Sequence, residues 1–227
     1  MRINKYLAER NYATRGGADA LVEAGLVFVN GKRAVVGQKV EEKDKVEVKL
    51  RKQKAFTYIA YNKPKGIITH SAGRGEKEIK EVMPVKGVFP VGRLDKDSHG
   101  LIILTDDGRI TERLLGPSYD HEKEYFVKTK EKLRSSFEKK MEAGVTIGKE
   151  KTAPCKVHIF GERAFSVTLT EGKKHQIRRM CDALFQSVDD LKRTRIMNIT
   201  LGTLKEGEFR KLEGEELQTF LKQLGLG

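Results

Sequence analysis

The spacing of apolar residues divides the first fifty positions into short elements. Apolar side chains recur at helical spacing over residues 3–7 and again over residues 18–22, after a Gly-Gly break. Residues 27–29 are apolar and lead into Asn30-Gly31, a dipeptide that favours a tight hairpin because both turn positions need positive φ. Residues 45–50 alternate with period two, as a half-buried strand does. The pattern predicts two helices and a small sheet.

Further along the chain, strand-like segments dominate and turn residues separate them. Strands are predicted over 56–62, 66–69, 88–91, 101–105, 125–129, 155–160 and 164–169. Helices are predicted over 108–115, 132–143, 175–185 and 215–224. Because strands and helices do not alternate regularly, the fold class is expected to be α+β with a mostly antiparallel mixed sheet. We place a small domain at residues 1–50, a basic linker at 51–54 and a larger domain at 55–227.

Charge narrows the class of partner. The 227 residues carry 45 Lys or Arg against 32 Asp or Glu, a formal net charge of +13. Such an excess is typical of proteins that bind polyanions, so nucleic acid is the expected partner, ahead of an anionic membrane surface or a simple gain in solubility. No apolar stretch is long enough for a spanning helix, and the first residues lack the apolar centre of a signal peptide. We therefore expect a cytoplasmic protein with no membrane association.

The most informative segment for chemistry is residues 92–106, which places Asp95 on a glycine turn between two apolar stretches. Arg93 and Lys96 flank it, and nearby cations stabilise the ionised form of a carboxylate. An Asx turn or a helix cap explains an Asp after Gly equally well from this segment alone. Asp97 could make a glycosidase pair with Asp95, but such a pair needs one acid with a raised pKa, which cationic surroundings disfavour.

A second segment, residues 170–181, reads as a strand end, a tight turn and a helix. Its apolar stripe has helical spacing, and Lys174 and Arg178 lie together on another face. Two cations near a helix start need an anion, which could be an RNA phosphate or the carboxylate of Asp95. His175 alone is more typical of a turn. A third segment, residues 121–127, alternates as a strand does. A lone strand tyrosine such as Tyr125 is usually a packing residue, but it could stack on a flipped base if the sheet also presents Asp95.

Together these segments resemble the RsuA family of pseudouridine synthases over nearly the whole chain. The matching residues are Gly92-Arg93-Leu94-Asp95, Ser98, Gly100-Leu101 and the tail 104–108; Glu122-Lys123, Tyr125 and Val127; and Gly172 with residues 175–180. Residues 120–125 are most similar to the RluF branch. Residues 1–48 resemble the alpha-L RNA-binding domain, although relatives commonly carry consecutive arginines where this chain has Arg15-Gly16-Gly17.

The resemblance implies isomerisation of uridine to pseudouridine without metal or cofactor. Its implied substrate is large-subunit rRNA or a pre-ribosomal particle, with a tRNA anticodon uridine as a second target, and we expect a monomer. Asp95, Tyr125 and Arg178 would be the catalytic residues, with Arg178 holding Asp95 charged. The implied RNA-binding residues are Arg93, Leu94, Lys96, His175, Gln176, Ile177, Arg179, Arg15 and Lys32. A non-catalytic RNA-binding or ribosome-assembly factor is the alternative, since it would explain the charge but not the acid.

Overall fold

A computed structural model describes residues 1–10, 12–13, 15–49, 56–116 and 119–226, without the side chain of Arg15. The chain divides into two compact units, Met1–Ala55 and Phe56–Gly227. The predicted linker, residues 51–54, lies outside the described residues.

The first unit contains the helices and the hairpin predicted from its sequence. Its elements are α1 (Ile3–Glu9), α2 (Arg15–Glu23), β1 (Val27–Val29), β2 (Lys32–Arg33) and β3 (Val46–Val48). The strands form an antiparallel sheet in the order β2-β1-β3. Asn30 and Gly31 have φ of 50° and 79°, as the hairpin turn requires. Ile3, Leu7 and Val27 pack in its core.

The second unit is built on one large sheet. Its strands are β4 (Tyr58–Lys63), β5 (Phe89–Val91), β6 (His99–Thr105), β7 (Lys123–Thr129), β8 (Thr146–Ile147), β9 (Glu150–Lys151), β10 (Lys156–Ile159), β11 (Ala164–Leu169), β12 (Val188–Ile196), β13 (Ile199–Thr200) and β14 (Phe209–Lys211). Its helices are α3 (Ile79–Val82), α4 (Arg109–Leu115), α5 (Phe137–Glu142), α6 (Gln176–Ala183) and α7 (Gly214–Gln223).

The large sheet has the strand order β10-β11-β7-β12-β6-β4-β14, with β5 paired to β6 and β13 paired to β12. Strands β12 and β6 run parallel, and the other pairs among the described strands are antiparallel. The predicted α+β class with a mostly antiparallel mixed sheet is therefore confirmed.

Strand β6 is buried along its whole length because both faces of the sheet are covered there. Leu101 and Ile103 pack with α4 and α7 on one side. Ile102 and Leu104 pack with α3 on the other side. Further along the sheet, β7 and β11 pack against α5 and α6, and Tyr125 contacts both this cluster and the one that contains α3. These two clusters therefore share one face of the sheet.

Two sequence predictions for this unit were wrong, and a central strand was missed. Residues 66–69 make one bridge, between Ile68 and Glu78, instead of a strand. The helix predicted over 132–143 begins only at Phe137, because the amide of Leu133 instead donates to the carbonyl of Glu162. Strand β12 was not predicted, although it lies at the centre of the sheet. Its register against β7 shifts twice, so its apolar residues follow no period of two.

Candidate active site

The segment between β5 and β6 holds Asp95 in a fixed turn. Gly92 has a φ of +81°, and the turn that follows is pinned by Thr69, whose hydroxyl donates to the carbonyl of Leu94 (2.7 Å) and accepts from its amide (3.0 Å). The amide of Ser98 donates to the carbonyl of Asp95 (3.1 Å). Leu94 is buried, whereas the Asp95 side chain keeps 39% of its surface exposed. The backbone is therefore anchored on both sides of a carboxylate that stays open to solvent.

His175 is the hydrogen-bond partner of that carboxylate. Its Nδ1 lies 3.0 Å from Oδ2 of Asp95. The backbone of His175 is left-handed, with a φ of 50°, at the position directly before α6. Gln176 secures the same turn, because its amide nitrogen donates to Glu171 (2.6 Å) and its oxygen accepts from the amide of Lys173 (2.9 Å). The sequence predicted His175 in a turn, and this turn also brings its ring to Asp95.

The predicted ion pair between Arg178 and Asp95 is not formed among the described residues. The Arg178 guanidinium instead lies 3.3 Å from the carbonyl of Asp97 and 3.5 Å from the hydroxyl of Ser98. It also lies 3.5 Å from the carbonyl of Val188. The expectation of direct contact was wrong because the first turn of α6 aims Arg178 at the backbone two residues beyond the carboxylate. Arg178 thus supports the turn that carries Asp95.

Asp95 opens into a cavity of about 890 Å³. Tyr125 also lines this cavity, as do the predicted RNA-binding residues Arg93, Leu94, Lys96, His175, Gln176 and Ile177. Leu94, Gln176 and Ile177 are buried, so they form the wall, while Arg93 and Lys96 are exposed. Lys96 pairs with Glu76 at 2.8 Å.

Three predicted RNA-binding positions have other surroundings. Arg179 does not line the cavity, and its guanidinium donates to the carbonyl of Ile147 (3.1 Å), so the structure gives it a packing contact. Lys32 lies exposed on β2 in the first unit. The side chain of Arg15 lies outside the described residues.

Sequence reasoning missed Arg193, a cavity-lining residue on β12 that is only 4% exposed. Its Nε donates to the carbonyl of Leu101 (2.7 Å), and its guanidinium carbon lies 6.0 Å from the centre of the Tyr125 ring. Its Nη2 is buried without a hydrogen-bond partner in the part of the chain that the structure describes. The available signal was the basic run 192–195 between Leu191 and Ile196, since a buried cation in a strand indicates a functional site.

Two further lysines lie in or near the cavity: Lys123 lines it, and the buried Lys63 is close enough to interact with Asp95. Burial lowers the pKa of Lys63 to about 8, and the negative charge of Asp95 offsets part of that shift. The ammonium of Lys63 is held by the carbonyls of Pro64 (2.9 Å) and Ile67 (2.7 Å). Burial also lowers the pKa of Lys123, and the positive charge of Arg193 adds to that effect. The positive charges of these lysines and of Arg193 favour an anionic ligand such as RNA.

The described residues contain no group of three or more His, Cys, Asp or Glu placed to hold a metal ion. The helices in the same residues include none that is long and apolar enough to cross a membrane.

Comparison with known proteins agrees with the fold and the cavity. The family described as "RNA pseudouridylate synthase" matches residues 57–183, and the "S4 domain" matches residues 1–46. The dual-specificity RNA pseudouridine synthase RluF of Escherichia coli (strain K12) is 41% identical over 98% of this chain and 79% of its own. Ribosomal large subunit pseudouridine synthase B of Bacillus subtilis (strain 168) is 32% identical over 96% of this chain and 94% of its own.

A solved structure described as a pseudouridylate synthase covers 99% of both chains, with a TM-score of 0.68 and 28% identity. The chain belongs to the RNA pseudouridylate synthase family, with an S4 domain ahead of the catalytic unit. The resemblance derived from the three motifs is confirmed, and so is the prediction of an enzyme that isomerises uridine in RNA.

Proposed function

We propose that this chain converts a uridine of large-subunit rRNA, free or within a pre-ribosomal particle, to pseudouridine, with a tRNA anticodon uridine as a second substrate. Two relatives support the choice, since one is named as a large-subunit synthase and the other as a dual-specificity RNA synthase. The small domain predicted at residues 1–50 binds the RNA, with Lys32 and Arg15 contacting phosphates. The enzyme works in the cytoplasm as a monomer.

The observation that carries the proposal is the exposed carboxylate of Asp95 in a basic cavity that Tyr125 also lines. In one route Asp95 attacks C1′ of the ribose, the C1′–N1 bond breaks, and uracil leaves as an anion. In the other route Asp95 removes the C2′ proton and a glycal forms while the same bond breaks.

In either route the uracil then turns so that C5 bonds to C1′. In the first route this bond displaces the carboxylate, and in the second the proton returns to C2′. The proton on C5 is lost and N1 takes one up, so product and substrate are isomers. In this scheme Tyr125 stacks on the uracil and accepts the C5 proton.

Arg193 and Arg178 act differently in this scheme. The buried charge of Arg193 lines the cavity near the Tyr125 ring, where it stabilises the anionic uracil while the bond to ribose is broken. Arg178 keeps the turn after Asp95 in place. Arg93 and Lys96 contact phosphates at the cavity rim, and Lys96 exchanges its pairing with Glu76 for a phosphate when RNA binds.

The test maps pseudouridines in rRNA and tRNA from cells that lack this protein, and from the same cells supplied with the wild-type chain or with Asp95→Asn. We expect one or more sites to disappear on deletion and to return with the wild-type chain alone, while Asp95→Asn still binds RNA. If the sites also returned with Asp95→Asn, the role of Asp95 would be refuted. If no site changed on deletion, the non-catalytic RNA-binding function would be the better description.

A further inference from the structure

The sheet of the second unit has an uncovered surface on the side opposite α5 and α6, which we call the back face. In register, His158 of β10 pairs with Ser166 of β11, Ser166 pairs with Phe126 of β7, and Phe126 pairs with Lys192 of β12. Because side chains alternate along a strand, these four lie on one face. Their strand neighbours Val167, Val127 and Leu191 point the other way, into the core with α5 and α6. None of the four belongs to a hydrophobic cluster among the described residues.

Aromatic rings gather at one side of the back face. Phe160, which follows β10, is 57% exposed. Its ring centre lies 4.6 Å from that of His158, in an edge-on arrangement, and 5.7 Å from that of Phe126. Exposed aromatic rings on an open sheet are a common platform for unpaired bases, since every base can stack on them.

The charges on the back face complement a polyanion. Lys128 follows Phe126 by two positions on β7 and so shares its face; the structure shows no ion pair for Lys128 or Lys192 among the described residues. The carboxylates nearby already have partners. Asp190, which lies opposite Lys128 in the register, pairs with Lys65 and lies 3.1 Å from Nε2 of His99. Glu122 pairs with Lys156 (2.8 Å) and Arg195 (3.0 Å). Glu124 lies 3.5 Å from Arg195. Two cations therefore remain for phosphates.

The composition of the surface favours RNA over a protein partner. The side chains that the register places there are Lys156, His158, Ala164, Ser166, Thr168, Glu124, Phe126, Lys128, Asp190 and Lys192, and Phe160 follows two positions after His158. None of them is Leu, Ile, Val or Met, whereas the apolar centre of a protein interface draws on such side chains. Aromatic rings interspersed with lysine and hydroxyl groups are what a single nucleic-acid strand uses.

We propose that the back face is a second RNA contact surface, where a single-stranded segment of the substrate stacks its bases on Phe160, His158 and Phe126 and places phosphates on Lys128 and Lys192. The inference rests on RNA as the substrate. Strands β7 and β12 connect the two surfaces directly, since Tyr125 and Arg193 line the cavity and the adjacent Phe126 and Lys192 lie on the back face. One RNA can therefore engage both sides of the same two strands.

The test measures binding of a ten-nucleotide oligoadenosine, which holds no uridine for the cavity, to the full chain by fluorescence anisotropy. The variant is Phe160→Ala, and the matched control is Phe185→Ala, because Phe185 is 72% exposed and follows α6 on the opposite side. Loss of one stacked base is expected to weaken binding about 5- to 100-fold in Phe160→Ala. The control should bind as the wild type does. Equal affinities of the two variants for the oligoadenosine would overturn the proposal. The back face would then be better explained as a contact surface for a protein partner.

Other surfaces of the chain can also bind the oligonucleotide and mask the effect of Phe160→Ala, so a second measurement locates the contact directly. A 4-thiouridine oligonucleotide crosslinked to the chain should modify the peptide that contains Phe160, and crosslinking should fall in Phe160→Ala. Lys128→Gln should reduce the slope of log affinity against log salt by about 0.7, whereas Lys140→Gln on α5 should leave the slope unchanged. A crosslink confined to other peptides, with an unchanged slope, refutes the proposal even if Phe160→Ala folds poorly.

Isomerisation measured in parallel separates this inference from the proposed function. If the back face is an RNA surface, Phe160→Ala raises KM for large-subunit rRNA about 5- to 100-fold and leaves kcat unchanged. An inactive wild-type chain whose affinity still depends on Phe160 would refute the proposed reaction while supporting the back face. An active wild-type chain whose affinity and KM are unchanged in Phe160→Ala would support the proposed reaction and refute the back face as an RNA surface.

Discussion

Replacing Gly100 with alanine should damage catalysis by displacing the strand that leads out of the turn carrying Asp95. Gly100 pairs with Arg193 in the parallel register of β6 and β12. A Cβ built on Gly100 would lie 2.3 Å from the Arg193 carbonyl oxygen and 2.7 Å from its nitrogen. Since real Cβ contacts essentially never fall below 3.0 Å, the strands must separate by at least about 0.7 Å. The φ of +103° adds strain for any side chain.

The shift acts on the backbone of Arg193 and on the start of β6, so both sides of the cavity move. A misplacement near 1 Å costs about 10²-fold in rate, so we expect kcat/KM of Gly100→Ala to fall by roughly that factor. The assay is single-turnover pseudouridine formation in rRNA, with far-UV circular dichroism to establish that the variant is folded.

The matched control is Gly87→Ala, because Gly87 also has a positive φ (+80°) but its Cβ would meet nothing within 4 Å. The control should lose a little stability and keep its activity. If Gly100→Ala were folded and as active as Gly87→Ala, the close strand approach would not be what positions the site.

Three other substitutions test separate parts of the structure. Arg193→Lys keeps a charge but loses the forked contacts with backbone carbonyls, so kcat should fall about tenfold or more with a smaller change in KM, measured by steady-state isomerisation. Arg178→Lys cannot span Asp97 and Ser98 together, and we expect a drop of about 5- to 10-fold in kcat/KM; wild-type kinetics would exclude a positioning role. Asp107→Asn should lower the free energy of unfolding by roughly 2 kcal/mol at pH 7, because the Arg109 guanidinium holds the pKa of the buried Asp107 carboxyl at about 2, below its ordinary value of 3.8. That stabilisation is complete above the unfolded pKa and is lost as pH falls through the folded one. Urea titrations should therefore find the difference about halved at pH 3, and a difference that did not change with pH would contradict the assignment.

The sequence was sufficient for the parts of the site that local motifs determine. Asp95 and Tyr125 follow from a glycine turn and an alternating strand, and both line the cavity. Contacts between distant segments were harder to predict. The left-handed backbone at His175 decides that His175 and not Arg178 meets Asp95, and one φ angle cannot be read from residue spacing. The sequence therefore predicted which residues share the site, but it could not predict which of their side chains contact one another.

Strand β12 shows why the rest of the fold was not predictable. Its two register shifts break the alternation that would identify a strand, and its buried Arg193 replaces an apolar residue at a core position. Both departures from the usual pattern occur beside the cavity. Patterns of apolar residues therefore failed to predict the strand that carries a buried charge into the cavity.

The parallel pairing of β6 with β12 also sets the order in which the enzyme can be assembled on the ribosome. Arg193 reaches a carbonyl 92 residues earlier in the chain, at Leu101. The segment with Asp95 leaves the exit tunnel well before its supporting strand exists, because the chain is synthesised from the N-terminus, and closing so long a loop is then entropically slow. A nascent chain that ends before residue 188 would carry Asp95 without Arg193, which lines the same cavity. Activity is therefore acquired only near the end of synthesis, and a prematurely terminated product should be inert towards RNA.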